Sequence, residues 1–207
     1  MLPNGPGEPD CPYVSRGGLK LRLALDRFGL DVAGKRCADL GASTGGFTDC
    51  LLQAGAASVY SVDTAYGQFA WKLRNDERVR VIERTNALHA ELPGDLGSGV
   101  DLVVIDLGWT KQERAIPAAL RWLGPGGEIV SLIKPHYETP RARVTRGQKV
   151  EPLDDQTAER VAQEVAARMP DFGVRVIDMV PSPIRGGKAG KGAAKGNVEF
   201  LILLARA

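Results

Sequence analysis

Lys20, Asp106, Lys134 and Glu199 each stand where an ionisable side chain needs a reason. Asp106 follows the apolar run 101–105 and Lys134 follows the run 128–133, so each is expected at the carboxyl end of a strand. Glu199 interrupts the apolar stretch 198–204, where a lone carboxylate is costly to bury unless paired. Lys20 opens an amphipathic segment and can reach the same edge. Two amines and two carboxylates in one place suit proton removal from a weakly acidic hydroxyl. A lysine serves as base only when burial or a neighbouring cation lowers its pKa; a second lysine supplies such a neighbour, and the two acids orient the pair. Singly, each residue has an ordinary reading as a solvated strand end or helix start. Their joint placement is what points to chemistry.

A second constellation concerns a ligand. The stretch Gly41-Ala42-Ser43-Thr44-Gly45-Gly46-Phe47 joins a short apolar run to a helical pattern. Its glycines allow a sharp turn and close approach of backbone to ligand, and the helix that follows offers unpaired N–H groups. Asp63, 22 positions after Gly41 and at the end of the next apolar run, can accept both hydroxyls of a ribose. The spacing is G-x-x-x-G-G, whereas the dinucleotide fingerprint is G-x-G-x-x-G. A loop that holds a methionine tail needs no pyrophosphate cradle, so the pattern favours S-adenosylmethionine over NAD. The plainer alternative is a glycine loop that only turns a strand into a helix.

These residues need a scaffold that brings them to one edge. Strands are expected over 36–40, 58–62, 78–82, 101–105, 128–133, 174–180 and 198–205, with helices over 19–28, 47–54, 112–123 and 154–169. Gly124-Pro125-Gly126-Gly127 reads as the turn that closes the third of these helices, and 136–152 as a long polar loop. The alternation predicts an α/β fold of the Rossmann-like kind: a seven-stranded, mostly parallel sheet with helices on both faces and one antiparallel strand, the last. Residues 1–14 read as a flexible arm, and 15–207 as one domain.

Net charge is only +2, so composition does not announce a nucleic-acid partner. Local charge says more. Arg141, Arg143 and Arg146 fall in one stretch without acids, and Lys188, Lys191 and Lys195 in another. Both flank the expected proton-transfer residues and could hold RNA phosphates. Trp109 is read either as a platform for a target base or as plain packing, whereas Trp71 and Trp122 are expected in the core or half-buried. His89 and His136 lack metal-ligand spacing, and His136 is read as a solvated loop residue. The three cysteines show no CxxC spacing, so neither a metal nor a disulfide framework is expected. No apolar run reaches the roughly 18 residues of a membrane span and no secretory signal is visible, which predicts a cytoplasmic protein.

The motifs together resemble a known family. Tyr13-Val-Ser-Arg-Gly-Gly-Leu-Lys20, Asp39-Leu-Gly-Ala-Ser-Thr-Gly-Gly-Phe-Thr-Asp-Cys50, Tyr66-Gly-Gln68, Trp71-Lys-Leu-Arg74, Glu83-Arg-Thr-Asn86, Ser182-Pro-Ile184 and Gly196-Asn197 with Glu199-Phe200 are similar to the TlyA-like hemolysins. These are ribosomal RNA 2′-O-methyltransferases related to the FtsJ/RrmJ group. The resemblance spans residues 13–205. It implies a Lys-Asp-Lys-Glu tetrad at Lys20, Asp106, Lys134 and Glu199, and a pocket for S-adenosyl-L-methionine lined by Gly41–Phe47, Asp63, Asn86 and Asp106, with Asn86 near the adenine. The chain departs from the family in four places, one of them the segment after Glu138, Arg141-Ala-Arg-Val-Thr-Arg146. About a dozen residues stand where these proteins usually carry an N-terminal RNA-binding domain, which leaves room for a partner protein in RNA recognition. Leu107-Gly-Trp-Thr110 replaces a Val-Ser-Phe run, and the loop before Asn197 is enlarged with Gly and Lys.

Three functions stay open on the sequence. The first is methylation of a ribose 2′-hydroxyl of RNA, the second is methylation of a small hydroxylated molecule, and the third is a non-catalytic hemolysin-like or RNA-binding role. Basic loops beside the expected site favour the first. The absence of a cationic amphipathic helix speaks against lysis.

Overall fold

The computed structural model describes residues 11–139, 153–187 and 196–207. Its strands are β1 (Arg36–Leu40), β2 (Ser58–Val62), β3 (Val79–Ile82), β4 (Val100–Ile105), β5 (Leu123–Ile133), β6 (Val174–Pro181) and β7 (Phe200–Arg206). They form one seven-stranded sheet in the order β3-β2-β1-β4-β5-β7-β6. The pairs β1–β2, β1–β4, β2–β3 and β4–β5 are parallel, and β7 runs antiparallel to both β5 and β6. This is the α/β sheet with a single antiparallel strand that the alternation of apolar runs predicts.

The helices are α1 (Gly17–Phe28), α2 (Gly46–Gln53), α3 (Trp71–Arg74), α4 (Gln112–Leu120), α5 (Pro135–Glu138) and α6 (Asp155–Ala167). Side chains on successive strand residues point to opposite faces, so each central strand feeds two cores. Val103 and Ile105 pack with Ala115 and Ile116 of α4 and Val161 and Val165 of α6. Leu102 and Val104 pack with Leu21 and Leu25 of α1 and Phe47 and Leu51 of α2. Local signals fix the helix ends. Gly29 closes α1 in the left-handed conformation, φ 64°, and the Asp154 side chain accepts the Thr157 N–H at the start of α6.

Three expectations need correction. The helix placed over 112–123 ends at Leu120, and the glycine run after it lies within β5. Val100 pairs with Leu123, the register then shifts before Leu102, and a Cβ on Gly127 would meet the Val100 and Asp101 carbonyl oxygens at 3.0 Å. These glycines therefore serve backbone packing, where a turn was expected. The loop placed over 136–152 opens with the single turn α5, in which His136 is buried. Burial and the Lys134 charge push its imidazole pKa down to about 4, so it is a neutral core residue. Trp71, expected in the core or half-buried, is 76% exposed because α3 turns only Leu73 inward, whereas Trp122 is fully buried as expected.

Residues 11–14, placed in the arm, lie against the body. Tyr13 and Val14 pack on the α1–α2 core, and the Val14 N–H donates to Asp49 at 2.8 Å.

Candidate functional site

The carboxyl edge of the sheet gathers the residues that sequence reasoning singled out. The antiparallel course of β7 is what makes this possible. Ile133 pairs with Phe200, so Lys134, just past the end of β5, and Glu199, just before β7, meet at one edge. Glu199 was placed inside the last strand, but the strand begins one residue later. The Ser182 N–H donates to the Glu199 carbonyl at 2.8 Å and fixes its backbone. Asp106 follows β4, and Lys20 sits in the first turn of α1, which packs across the same edge.

The four side chains form two ion pairs. Lys20 Nζ lies 2.6 Å from Glu199 Oε2, and both residues are buried, at 9% and 3% exposure. Lys134 Nζ lies 2.5 Å from Asp106 Oδ1 and also donates to the Leu107 carbonyl at 3.3 Å. Burial alone would raise the Asp106 pKa, but the charges of Lys134 and Lys20 outweigh it and hold the carboxyl below the usual range. Burial alone would lower the Lys134 pKa. Asp106 and Glu199 outweigh that too, and the amine is raised. This corrects the expected electrostatics, because Lys20 is paired with Glu199 and so does not act as the uncompensated cation that would depress Lys134.

Two cavities meet at Asp106. The larger, about 650 Å³, runs along the ends of β1, β2 and β4 and is lined by Asp63, Gln68, Asn86, Trp109, Arg114 and Lys134 among others. The smaller, about 400 Å³, lies over the glycine loop and is lined by Ser15, Arg16, Lys20, Phe47, Arg185 and Gly186 among others. Gly41, Ser43 and Asp106 border both. Their sizes are those of small-molecule and cofactor sites.

The glycine loop is built for close approach. Gly41 has φ 98°, and a Cβ there would stand 2.6 Å from the Asp106 carbonyl oxygen, so only glycine lets β1 and β4 end side by side. Ala42, Gly45, Gly46 and Phe47 are buried, whereas Ser43 and Thr44 are exposed on the cavity rim. The Asp63 carboxylate accepts the Ser43 N–H at 2.8 Å and the Ala65 N–H at 2.7 Å. Each oxygen keeps a further lone pair for a hydroxyl. The Asn86 side-chain oxygen Oδ1 accepts the Leu88 N–H at 3.0 Å, which orients this exposed side chain on the cavity wall. The residues present therefore fit an adenosine-bearing ligand: a paired carboxylate stands over the second strand, and a side-chain cavity wall runs on beyond it.

Sequence reasoning left Trp109 open between a base platform and plain packing, and it missed several contacts around the two cavities. Trp109, which lines the larger cavity, is 43% exposed with φ 50°, and its ring stands 6.3 Å from that of Tyr137. Beside that cavity Arg84 lies 4.0 Å over the exposed Tyr66 ring. Arg16 donates to the Gly187 carbonyl at 3.2 Å, joining the start of α1 to the segment after β6 across 171 positions. Nothing local marks such a contact; the only sequence signal is that Ser15 and Arg16 sit in the motif before Lys20. Asp39 is buried beneath the glycine loop and accepts the Thr48 hydroxyl at 2.7 Å, and burial pushes its pKa up to about 7. The six residues expected to hold RNA phosphates, Arg141, Arg143, Arg146, Lys188, Lys191 and Lys195, lie outside the described residues.

Comparison with known proteins agrees with this geometry. The family model of FtsJ-like methyltransferases matches residues 13–188. A 16S/23S rRNA (cytidine-2′-O)-methyltransferase TlyA from Mycobacterium tuberculosis is 43% identical over 93% of this chain and 68% of its own length. Hemolysin A of Brachyspira hyodysenteriae is 39% identical over 91% of this chain and 75% of its own. A solved chain from Streptococcus thermophilus, named for a hemolysin, superposes with a TM-score of 0.82 at 41% identity, covering 97% of this chain and 69% of that one. With the family model matched over most of its length and a relative 43% identical, the chain belongs to the FtsJ-like methyltransferase family.

Proposed function

We propose that this chain transfers a methyl group from S-adenosylmethionine to a ribose 2′-hydroxyl of ribosomal RNA. The observation that carries the reading is the gathering of Lys20, Asp106, Lys134 and Glu199 as two ion pairs beside the two cavities: Asp106 borders both, Lys134 the larger and Lys20 the smaller. The name of the Mycobacterium tuberculosis relative, which specifies rRNA and a 2′-oxygen, supports both substrate and position. When bound, the cofactor supplies an electrophilic methyl group on a positively charged sulfur.

The protein's part is to bind, orient and move a proton. Asp63 and Asn86 hold the adenosine end, and the Gly41–Phe47 loop holds the methionine end. Asp106 borders both cavities and fixes the Lys134 amine toward the junction. Lys134 Nζ takes the proton of the target hydroxyl, which must leave as the oxygen gains its methyl group. Asp106 and Glu199 favour a protonated Lys134, so the site needs added positive charge nearby before the amine is free to act. Lys20 and Glu199 hold the substrate oxygen in line. Trp109 offers an exposed ring for the target base, and Arg84 on Tyr66 gives a further cationic and aromatic surface beside the cavity.

Substitution of Lys134 tests the assignment. Lys134→Ala is expected to lower methyl transfer to RNA by about a thousandfold or more, while calorimetric affinity for S-adenosylmethionine stays within about twofold. Near-normal turnover in this variant would reduce Lys134 to a strand-end lysine and remove the proposal's base.

A further inference from the structure

Glu199 is squeezed between two groups. One is Lys20, whose Nζ stands 2.6 Å from Oε2. The other is the backbone of Gly186. A Cβ at position 186 would lie 2.0 Å from Glu199 Oε1, 2.6 Å from its carboxyl carbon and 3.2 Å from Oε2. Real non-bonded carbons do not approach so closely, so even the smallest side chain at 186 would displace the carboxylate.

The placement of Gly186 is itself enforced. Its N–H donates to the Asn197 carbonyl at 2.9 Å, and its carbonyl accepts the Asn197 N–H at 3.1 Å, an antiparallel bridge two residues before Glu199. The neighbouring Arg185 holds Asp155 through both guanidinium branches, at 2.5 and 2.9 Å, and donates to the Gly196 carbonyl at 3.2 Å. On the other side the Ser182 N–H pins the Glu199 carbonyl. Backbone bonds thus hold both Gly186 and the root of Glu199, and the carboxylate lies between Gly186 and Lys20.

We propose that Gly186 is a positioning residue: its missing side chain sets how far the Glu199 carboxylate advances onto Lys20, and so sets the geometry of the proton-handling tetrad. The proposal rests on the catalytic reading of that tetrad. Two features separate it from a general need for glycine. Gly186 is absent from the residues with positive φ, whereas Gly187 has φ 102°, so alanine at 186 is conformationally ordinary. The atoms an added methyl would strike are the far end of a side chain, which can move without unfolding the backbone. The cost therefore falls on the Lys20–Glu199 contact and spares the fold.

A four-variant cycle tests this. Gly186→Ala is expected to keep its melting temperature and its affinity for S-adenosylmethionine, and to lower kcat on RNA about tenfold or more. Glu199→Asp withdraws the carboxylate by one methylene and is expected to lower kcat as well. In the double variant the shorter acid clears the new methyl, so Gly186→Ala costs less than about twofold in the Glu199→Asp background. Full activity of Gly186→Ala, or simple multiplication of the two losses, overturns the proposal. Glu199→Gln separates the two ideas. If it is fully active, the catalytic reading of Glu199 falls and the positioning proposal falls with it; if it is inactive while Gly186→Ala is normal, only the positioning proposal falls. Should Gly186→Ala fail to fold, Gly186→Ser in the Glu199→Asp background reads the same gap, and a folded, further-inactivated protein there contradicts the account.

Discussion

The two ends of the cleft are built from different materials. The end we assign to the cofactor is made of contiguous chain: one loop of seven residues, one acid just past the next strand, and backbone N–H groups that share the Asp63 carboxylate. The tetrad end is made of charged side chains drawn from positions 20, 106, 134 and 199, paired across as many as 179 positions. The difference teaches what each task requires. Holding a constant cofactor needs backbone that can come close, which local glycine spacing supplies. Handling a proton needs groups whose charges shape one another, and such coupling comes from sheet topology. Asp106 belongs to both ends, since it borders both cavities and pairs with Lys134.

If the ends are separable, substitutions should separate them. The largest effect after loss of Lys134 belongs to Asp63→Ala, expected to weaken S-adenosylmethionine binding by about 10- to 100-fold, with turnover at saturating cofactor largely kept. Titration calorimetry reads the first quantity and initial rates the second. A variant that binds normally would take the ribose away from Asp63 and merge the two ends into one.

The pH profile sharpens the tetrad end. Asp106 and Glu199 raise the Lys134 pKa, so the neutral amine is scarce at neutral pH and its fraction grows as pH rises. The methyl-transfer rate should therefore climb through the alkaline range, by up to about tenfold per pH unit while the amine remains mostly protonated. Asp106→Asn removes an anion that stabilises the ammonium, so the midpoint should move to lower pH even as the maximal rate falls. An unmoved midpoint would mean that the titrating group is something other than Lys134. The same pair carries a stability consequence. The Asp106 contribution is present above the ordinary carboxylate pKa and lost as pH falls through its depressed value, and the Lys134 contribution is lost only as pH rises through its raised value.

The smallest effect concerns RNA affinity. Lys188, Lys191 and Lys195, neutralised together, are expected to reduce the slope of log affinity against log salt by about 0.7 to 0.9 per lost phosphate contact, with cofactor binding unchanged. An unaltered slope would move phosphate binding to Arg141, Arg143 and Arg146, to residues 1–14, or to a partner.

Much of this was readable in the sequence, for reasons that differ by region. β1 and β2 fall where the sequence places them, because each is a short, largely buried stretch that stops at a clear marker, Gly41 after β1 and Asp63 after β2. The glycine run 124–127 misled because glycine's commonest service is a turn, and nothing local reveals that another backbone lies alongside. His136 misled in the same way, since its burial is imposed by packing around α5 and leaves no periodic mark. The meeting of the four charged residues was legible because a charge at the end of an apolar strand is costly without a partner, and assigning β7 an antiparallel course placed the partners together. Its electrostatics were not legible, because the sign of the Lys134 shift depends on which acid faces which amine.

The central claim is the reaction itself, and one measurement meets it directly. The chain is incubated with methyl-labelled S-adenosylmethionine and ribosomal RNA, and the RNA is digested to nucleosides and separated. The account predicts label in a 2′-O-methylated nucleoside, absent with Lys134→Ala. Label on a base, or RNA left unlabelled by a protein that binds the cofactor, would contradict it.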